Sequence, residues 1–321
     1  MLFFLAKTEF WLMKAIRLRD FIEDKDGCIY AVSAYDNEKK AGCVLRYVPD
    51  ENGERVSLDG TRYKKYDFEP AFEYIRKNKP EYLDVVHRVP LVDIKRVLKP
   101  EEELKGIIAR DKRVLKLSKV FGVPEGTCGC TGSLLCGLEN EASDIDMVVY
   151  GDFWFLAQKN LINAVKKGSI QALSEQMWEK VYYKRVPEID YDTFVLHEKR
   201  KWNRGEIEGT YFDLLYTRGY DSLNSVNIEK GKVCGKKTIE AQVTDASLSF
   251  DSPAVYQVSH PEISKVLSFT HTYSGQALAG EIIEACGVVE EHGNEKWLII
   301  GTTREAKGEY IISKTLVEEN K

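Results

Sequence analysis

The 321-residue chain has the composition of a folded globular protein, with 43% hydrophobic and 30% charged residues. Disordered and collagen-like classes are thereby excluded, because neither carries the apolar content of a packed core. The 46 basic and 51 acidic side chains give a formal net charge of −5, which argues against non-specific coating of nucleic acid or anionic membrane by the whole molecule. The length exceeds one minimal core, so we expect two or three domains.

The N-terminal segment Met1–Met13 is apolar but is interrupted by Lys7 and Glu9. It is too short to span a bilayer. It also lacks the basic start and the small-residue cleavage site of a secretory signal peptide. We therefore place the true translation start at Met13, and we interpret residues 1–12 as a start-site artefact or as a short arm packed on the body.

Residues 1–100 predict a β-rich N-terminal domain, in which apolar runs alternate with turn sequences such as Asp26-Gly27 and Asp59-Gly60. The predicted strands are Ala15–Ile22, Cys28–Tyr35, Cys43–Val48 and Arg62–Tyr66. A short helix over Phe72–Asn78 ends before Pro80, because the position preceding a proline disfavours the helical conformation.

Cations and aromatic side chains alternate within two of these strands. The residues concerned are Arg46, Tyr47, Arg62, Tyr63, Lys64, Lys65 and Tyr66. Such a pattern can stack on and neutralise a nucleic-acid strand. Packing of the tyrosines across a hairpin explains the pattern equally well, so the sequence leaves both interpretations open.

Residues 101–228 alternate helix and strand, as an α/β core with a mixed sheet inside an α+β protein requires. A helical apolar pattern runs from Leu104 to Leu117. A strong strand over Ser143–Tyr150 precedes a helix over Phe155–Lys167, which closes on Gly168. The remaining predicted strands of this domain are Tyr191–Leu196 and Thr210–Tyr216.

Residues 229–321 again read as short strands, whose even spacing predicts a β-barrel-like or sandwich domain. The predicted strands are Thr238–Val243, Ala254–Val258, Val266–His271, Ile282–Glu290, Trp297–Gly301 and Glu309–Ile312. From residue 238 onward there are 6 basic and 13 acidic side chains. This balance disfavours a phosphate-binding surface in the C-terminal domain.

The candidate chemistry lies in the middle of the chain, at Gly132-Ser133 and at Asp144-Ile145-Asp146. Residues two apart on a strand project to the same side, so Asp144 and Asp146 point together while Ile145 enters the core. Two adjacent carboxylates repel each other unless a divalent cation lies between them. Their hard oxygen ligands favour Mg²⁺ or Mn²⁺ over zinc.

Two further features extend this arrangement. A glycine without a Cβ at position 132 lets phosphate oxygens approach the backbone, and Ser133 can donate its hydroxyl to the same phosphate. The N–H groups at the start of the following helical stretch, Leu134–Leu138, favour an anion. Asp213 interrupts an otherwise apolar predicted strand, which is unfavourable for an acid without a cation or another partner.

Gly-Ser, ten residues, Asp-hydrophobic-Asp on a strand and a later Asp flanked by apolar residues together resemble the signature of the DNA polymerase β-like nucleotidyltransferase superfamily. That superfamily includes CCA-adding enzymes, poly(A) polymerases and small archaeal and bacterial transferases. The resemblance covers about residues 105–220. It implies that Asp144 and Asp146 hold the metal ions, that Asp213 helps to activate the attacking hydroxyl, and that Gly132 and Ser133 bind the triphosphate.

The sequence departs from that signature at Thr131, which is less apolar than usual, and at Cys136, where many relatives carry a basic residue. Triphosphate contacts are therefore expected from elsewhere. The first candidate is the basic run before the Asp213 strand, with Lys199, Arg200, Lys201 and Arg204. Lys184-Arg185 is a second candidate, and an ordinary solvated surface explains such a run equally well.

Seven cysteines without a signal peptide do not predict a disulfide framework, which favours a reducing cytoplasm. Cys128, Cys130 and Cys136 do not have a common zinc spacing, so we interpret them as small buried apolar residues. Asp190 and Asp192 compete with Asp213 for the third-acid role, but polar neighbours favour a surface position for both.

The expectation from the sequence is a magnesium-dependent nucleotidyltransferase, which transfers a nucleoside monophosphate from a nucleoside triphosphate such as ATP to a hydroxyl. The acceptor is open: RNA or tRNA, a protein or a small molecule. The alternative is a scaffold protein that holds a nucleotide or an RNA end without turnover.

Overall fold

A computed structural model describes residues 15–225, 229–303 and 306–321 of the chain. The predicted arm over residues 1–12 lies outside these ranges. The described residues form helices together with antiparallel and mixed sheets, so the fold class is α+β, as predicted. Over the same ranges, no helix combines the length and the apolar character needed to cross a membrane.

The chain divides into two compact units. Unit 1 comprises Met1–Ala157 and Thr217–Val226, and unit 2 comprises Gln158–Tyr216 and Asn227–Lys321. The residues predicted as one central domain, 101–228, are therefore shared between the two units.

A seven-stranded sheet forms the N-terminal part of unit 1. Its strands are β1 (Phe21–Asp24), β2 (Ile29–Val32), β3 (Lys40–Pro49), β4 (Arg55–Val56), β5 (Arg62–Lys65), β6 (His87–Pro90) and β7 (Ile94–Leu98). They pair in the order β4-β5-β3-β2-β1-β7, and β6 pairs with β3. The helix α1 (Phe68–Asn78) contributes Ala71 and Ile75 to the same core as Ile22 and Leu45.

Two element boundaries in this part of the chain differ from the sequence prediction. β1 begins later than the predicted strand Ala15–Ile22, because the chain turns at Arg19, whose φ is 73°. The Asp20 carboxylate stabilises this turn by accepting a hydrogen bond from the Arg17 N–H at 2.8 Å. α1 begins earlier than predicted, because Pro70 lies in its first turn, where no N–H is needed.

Two helices, α2 (Pro100–Arg110) and α3 (Lys112–Phe121), occupy the predicted helical pattern. Asp111 separates them, and its carboxylate caps α3 by accepting a hydrogen bond from the Arg113 N–H at 2.8 Å. The chain continues through β8 (Cys128–Thr131), α4 (Gly132–Cys136) and β9 (Ile145–Tyr150). β8 and β9 pair antiparallel, with Thr131 opposite Asp146.

The first part of unit 2 is mainly helical. The elements that follow β9 are α5 (Phe153–Lys166), which begins in unit 1, α6 (Glu175–Arg185), α7 (Tyr191–Lys201), β10 (Arg204–Ile207) and β11 (Thr210–Thr217). β10 and β11 pair antiparallel, with Arg204 opposite Asp213.

The predicted strand Tyr191–Leu196 is wrong, because this segment is the first half of α7. Asp190 caps the helix: its carboxylate accepts a hydrogen bond from the Thr193 N–H at 2.9 Å. The buried face of α7 carries Phe194 together with the polar Glu198 and Lys201. Because the later residues of the buried face are polar, the sequence shows apolar residues over only the first part of α7, although the buried face continues to its end.

A six-stranded sheet forms the rest of unit 2. Its strands are β12 (Lys232–Asp245), β13 (Ala254–Ser259), β14 (Lys265–Ser268), β15 (Ile282–His292), β16 (Glu295–Ile300) and β17 (Tyr310–Ser313), followed by α8 (Lys314–Glu319). The pairings run β12-β13-β14-β16-β15 and return from β15 to β12, and β17 adds to β15. β14 and β16 are parallel, and the other pairs are antiparallel.

Candidate nucleotide and metal site

The turn at Gly132 brings the backbone into contact with a carboxylate of the predicted site. Gly132 has a φ of 72°, a left-handed conformation that residues with a side chain rarely adopt. A Cβ on this residue would lie 2.6 Å from Asp146 Oδ2. Glycine is therefore required here for two separate reasons, and Gly132 lies next to the Asp146 carboxylate.

The side chains of β9 alternate as predicted. Ile145 and Met147 are fully buried, whereas Asp146 is half-buried and Asp144, which immediately precedes the strand, is exposed. The two carboxylates thus lie outside the core, two residues apart. Asp144 forms no hydrogen bond or ion pair with the residues that the structure describes, so its oxygens are free to act as ligands.

Ser133 follows the glycine turn at the start of α4 and is half-buried. Its carbonyl accepts a hydrogen bond from the Leu138 N–H at 3.0 Å, which closes the turn after α4. α4 has only five residues. A helix this short contributes little dipole, so a bound triphosphate would need cationic side chains in addition to backbone N–H groups.

The segment between Ser133 and Asp144 is held by side chains from two other elements of unit 1. The Arg55 guanidinium on β4 donates hydrogen bonds from Nη1 to the Leu138 carbonyl at 3.1 Å and to Ser143 Oγ at 3.3 Å. Arg110 on α2 donates to the Leu134 carbonyl and pairs with Glu139 at 3.1 Å.

Asp213, the predicted third acid, lies on β11 in unit 2. Its Oδ1 accepts a hydrogen bond from the Tyr211 hydroxyl at 2.9 Å and lies 3.4 Å from Arg204 Nε. This acid thus has a neutral and a cationic partner on the hairpin that carries it. Over residues 15–225, 229–303 and 306–321, no group of three or more His, Cys, Asp or Glu residues is placed to hold a metal ion.

The predicted nucleotide-binding cations of the basic run have protein partners within unit 2. Lys199 lies 3.5 Å from Glu175, and Arg200 pairs with Glu281 at 2.5 Å and donates to the Gln276 carbonyl at 2.6 Å. The Arg200 contacts are part-buried and favour a structural role for this cation, whereas the Lys199 pair is exposed and contributes little.

Lys201 and Arg204 are buried, and they meet at one carboxylate. Glu198 pairs with Lys201, with Arg204 at 2.5 Å and with Arg185 at 3.4 Å. Burial alone would raise the pKa of Glu198, but the three cations outweigh it and lower the pKa to about 2. Burial lowers the pKa of Lys201 to about 8 against the opposing effect of Glu198.

The expected placement of this run as a surface that receives phosphate therefore does not fit two of its members. Lys201 and Arg204 are 2% and 6% exposed. The sequence does not reveal this burial, because four cations in six residues are typical of a solvated face. Here one buried acid, Glu198, pairs with two of them. We assign Arg200, Lys201 and Arg204 a structural role, whereas the exposed Lys199 stays a predicted nucleotide contact.

The alternatives that the sequence left open have simple structural readings. Cys128 and Cys130 are buried on β8, and burial raises the pKa of the Cys128 thiol to about 11, which keeps it protonated and apolar. Asp190 acts as a helix cap, and Asp192 is exposed in the first turn of the same helix.

The chain is 36% identical over an alignment of 335 residues to "Uncharacterized protein MJ1086" of Methanocaldococcus jannaschii. The match covers 92% of this chain and 98% of that protein. No family model and no solved structure matches the chain.

Proposed function

The chain belongs to one family with the Methanocaldococcus jannaschii protein MJ1086, and from the site that it carries we propose that it is a magnesium-dependent nucleotidyltransferase. The contact between the Gly132 backbone and the Asp146 carboxylate carries this proposal. It sets a phosphate-accepting turn directly beside a potential metal ligand. Asp144, two residues before Asp146 and exposed, supplies the second ligand.

The residues at this site fit a hard divalent cation. Two carboxylates outside the core, one of them without a protein partner among the described residues, supply the oxygen ligands that Mg²⁺ prefers. When bound, Mg²⁺ would neutralise the charge of the triphosphate and of the leaving pyrophosphate. Ser133 would donate its hydroxyl to an outer phosphate.

The proposed reaction is attack of an acceptor hydroxyl oxygen on the α-phosphorus of a nucleoside triphosphate. A new phosphorus–oxygen bond forms to the acceptor, the bond to the bridging oxygen breaks, and pyrophosphate leaves. The hydroxyl proton passes to a carboxylate, for which Asp213 is the sequence-based assignment. That assignment stands on the resemblance alone, and the acceptor can be RNA or tRNA, a protein or a small molecule.

We further propose the finer architecture that this function implies. Residues 101–228 would carry the nucleotidyltransferase fold between a β-rich N-terminal region and a barrel-like C-terminal region. The pairing circuit of β12 to β16 supports the barrel. The reaction would take place in the cytoplasm, where nucleoside triphosphates and Mg²⁺ are available.

Labelled transfer tests the proposal. We would incubate the protein with each α-labelled triphosphate, Mg²⁺ and total RNA, and compare the wild type with the double variant Asp144→Ala, Asp146→Ala. Label transferred by the wild type and lost in the double variant is the expected result. Equal nucleotide binding by both proteins without any transfer would favour the scaffold alternative, in which the site holds a nucleotide without turnover.

A further inference from the structure

Three cations of the N-terminal sheet are electrostatic neighbours, and one of them, Arg55, contacts the segment that leads into Asp144. They are Arg46 on β3, Arg55 on β4 and Lys65 at the end of β5, and we call them the hairpin cations. Arg55 pairs with Tyr63, which lies two residues from Lys65 on the same strand. Since residues two apart on a strand share a face, Arg55 and Lys65 project to the same side of the sheet.

Arg46 reaches this region through an irregularity of its strand. Tyr47 pairs with Ile29 and Leu45 pairs with Tyr30, so Arg46 is an extra residue between two regular pairs. A bulge of this kind redirects the side chain that it contains.

Direct contacts join the hairpin to the site. Arg55 donates hydrogen bonds to the Leu138 carbonyl and to Ser143 Oγ, immediately before Asp144. A Cβ on Gly137 would lie 3.2 Å from Leu58 Cγ, so the hairpin tip packs against the end of α4 as well. The hairpin therefore lines the segment that joins the glycine turn to the acid pair.

The charges at this place are unbalanced. Within the described ranges, none of the hairpin cations forms an ion pair with a carboxylate. Burial and the neighbouring Arg46 and Arg55 lower the pKa of Lys65, and Asp144 opposes them. By contrast, the buried Lys79 and Lys99 of unit 1 pair with carboxylates, Lys99 with Asp20 at 2.8 Å. Half-buried cations that are gathered together without a carboxylate to balance their charge favour a bound anion.

We propose that the hairpin cations bind the β- and γ-phosphates of the nucleoside triphosphate, so that the N-terminal sheet completes the nucleotide site. The inference deepens the proposed function and rests on it. The hairpin cations would supply the positive charge that the signature places at the position of Cys136. Lys201 and Arg204 of the basic run cannot supply it, because they pair with Glu198. The inference also gives a role to the alternating cations and tyrosines of this hairpin, with the triphosphate rather than a nucleic-acid strand as the ligand.

Binding of Mg²⁺–tripolyphosphate tests the inference, because this probe carries the phosphate chain without a base or sugar. We would measure its affinity by calorimetry for the wild type and for Arg46→Gln, Arg55→Gln and Lys65→Gln. Each charge removal is expected to weaken binding about tenfold or more, since hydrogen bonds to charged groups are the strong ones. Lys40→Gln, which removes an exposed charge from the start of β3, is the matched control and should bind as the wild type does.

A second set of measurements separates binding from folding. Arg55→Lys keeps the charge and should bind more tightly than Arg55→Gln, whereas a purely structural role of the Leu138 contact predicts equal losses. In the labelled-transfer assay, the three neutral variants should raise the KM for the triphosphate. If Arg55→Gln fails to fold, tripolyphosphate binding by the Arg46→Gln and Lys65→Gln variants still tests the inference.

Three results would overturn the inference. Wild-type affinity for tripolyphosphate in all three variants would reject it, and the proposed function would survive as long as the wild type transfers label. Weakened RNA binding with unchanged tripolyphosphate binding would assign the cations to the acceptor instead. If the wild type binds neither tripolyphosphate nor any nucleoside triphosphate, both the inference and the proposed function fail.

Discussion

At Gly132 the backbone and the Asp146 carboxylate occupy adjoining space, so a single methyl group tests the site. We expect Gly132→Ala to reduce label transfer by about 100-fold or more, because the Cβ would displace the carboxylate and small misplacements have effects of this size. The positive φ adds a loss of about 1–2 kcal/mol in the free energy of unfolding. Activity and urea unfolding measure the two effects separately.

Gly126 provides the control for this substitution. It has a φ of 79°, and a Cβ there would meet nothing within 4 Å. Gly126→Ala should therefore show the loss of stability without the loss of transfer. Equal activity of the Gly132 and Gly126 variants would contradict the role that we give to the contact with Asp146.

Two buried histidines make stability depend on pH. Burial lowers the pKa of His87 and of His197 to about 4. His87 Nδ1 accepts a hydrogen bond from the Leu45 N–H at 3.0 Å, and His197 Nε2 accepts one from the Ser313 N–H at 2.9 Å. Both contacts require a neutral ring.

The unfolded chain takes up a proton at each histidine near pH 6.5, and the folded chain does so only near pH 4. Stability from this source is therefore complete above pH 6.5 and falls as the pH drops towards 4. We expect a loss of about 2 kcal/mol per histidine between pH 7.5 and pH 5. Urea unfolding of the wild type, His87→Gln and His197→Gln should show a flatter pH dependence in each variant, and parallel profiles would contradict the assignment.

Asp20 acts in the opposite direction. Burial raises its pKa to about 6 against the effect of Lys99, so its contribution to stability falls as the pH rises between about 4 and 6. The comparison of variants, rather than the wild-type profile alone, therefore isolates the histidines.

At the scale of elements, α7 shows how one acid organises a helix and the strand after it. We expect Glu198→Gln to lower the free energy of unfolding by about 3–5 kcal/mol, because it leaves Lys201 buried without a counter-charge and leaves Arg204 with Asp213 alone. Glu175→Gln removes the exposed ion pair with Lys199, and its amide oxygen can still accept the hydrogen bond from the Tyr191 hydroxyl, so it should change stability by less than about 1 kcal/mol.

Urea unfolding of the two glutamate variants decides between the structural and the nucleotide-binding interpretations of the basic run. Similar small effects of both substitutions would mean that the run is not held by Glu198. The cations would then again be candidates for phosphate contacts.

At the scale of the whole molecule, the predicted boundary near residue 229 does not enclose a complete core. One hydrophobic core of unit 2 joins Trp178 and Phe194, from α6 and α7, to residues of the C-terminal strands such as Tyr256 and Leu298. A fragment of residues 229–321 would expose the strand residues that these helices cover. We expect it to lack the cooperative unfolding and the near-ultraviolet dichroism shown by a fragment of residues 158–321.

Cooperative unfolding of the shorter fragment, with a midpoint equal to that of the longer one, would show that the strands fold without α6 and α7. The three-domain division would then describe folding better than the two units do. Either outcome shows whether the C-terminal strands depend on α6 and α7 in order to fold.

Local patterns of the sequence determined most strands, since alternation and turn residues act over a few positions. β9, β11 and the strands from β12 to β17 overlap the predicted strands, and Asp146 lies on β9, whereas Asp144 lies just before it. The helical conformation of α7 depended on tertiary structure. So did the burial of Lys201 and of Arg204 on β10, because it requires Glu198 and the surrounding core.

The same distinction applies to the site. The amino-acid sequence alone determined that a glycine, a serine and two acids stand at the separation of the nucleotidyltransferase signature that they resemble, because these features belong to adjoining segments. Only the tertiary structure decided that Arg55 contacts Ser143 and that Lys65 lies within electrostatic range of Asp144. These residues lie about 80 positions apart in the chain. A local sequence pattern cannot predict such a contact, because it forms only when two distant segments fold together.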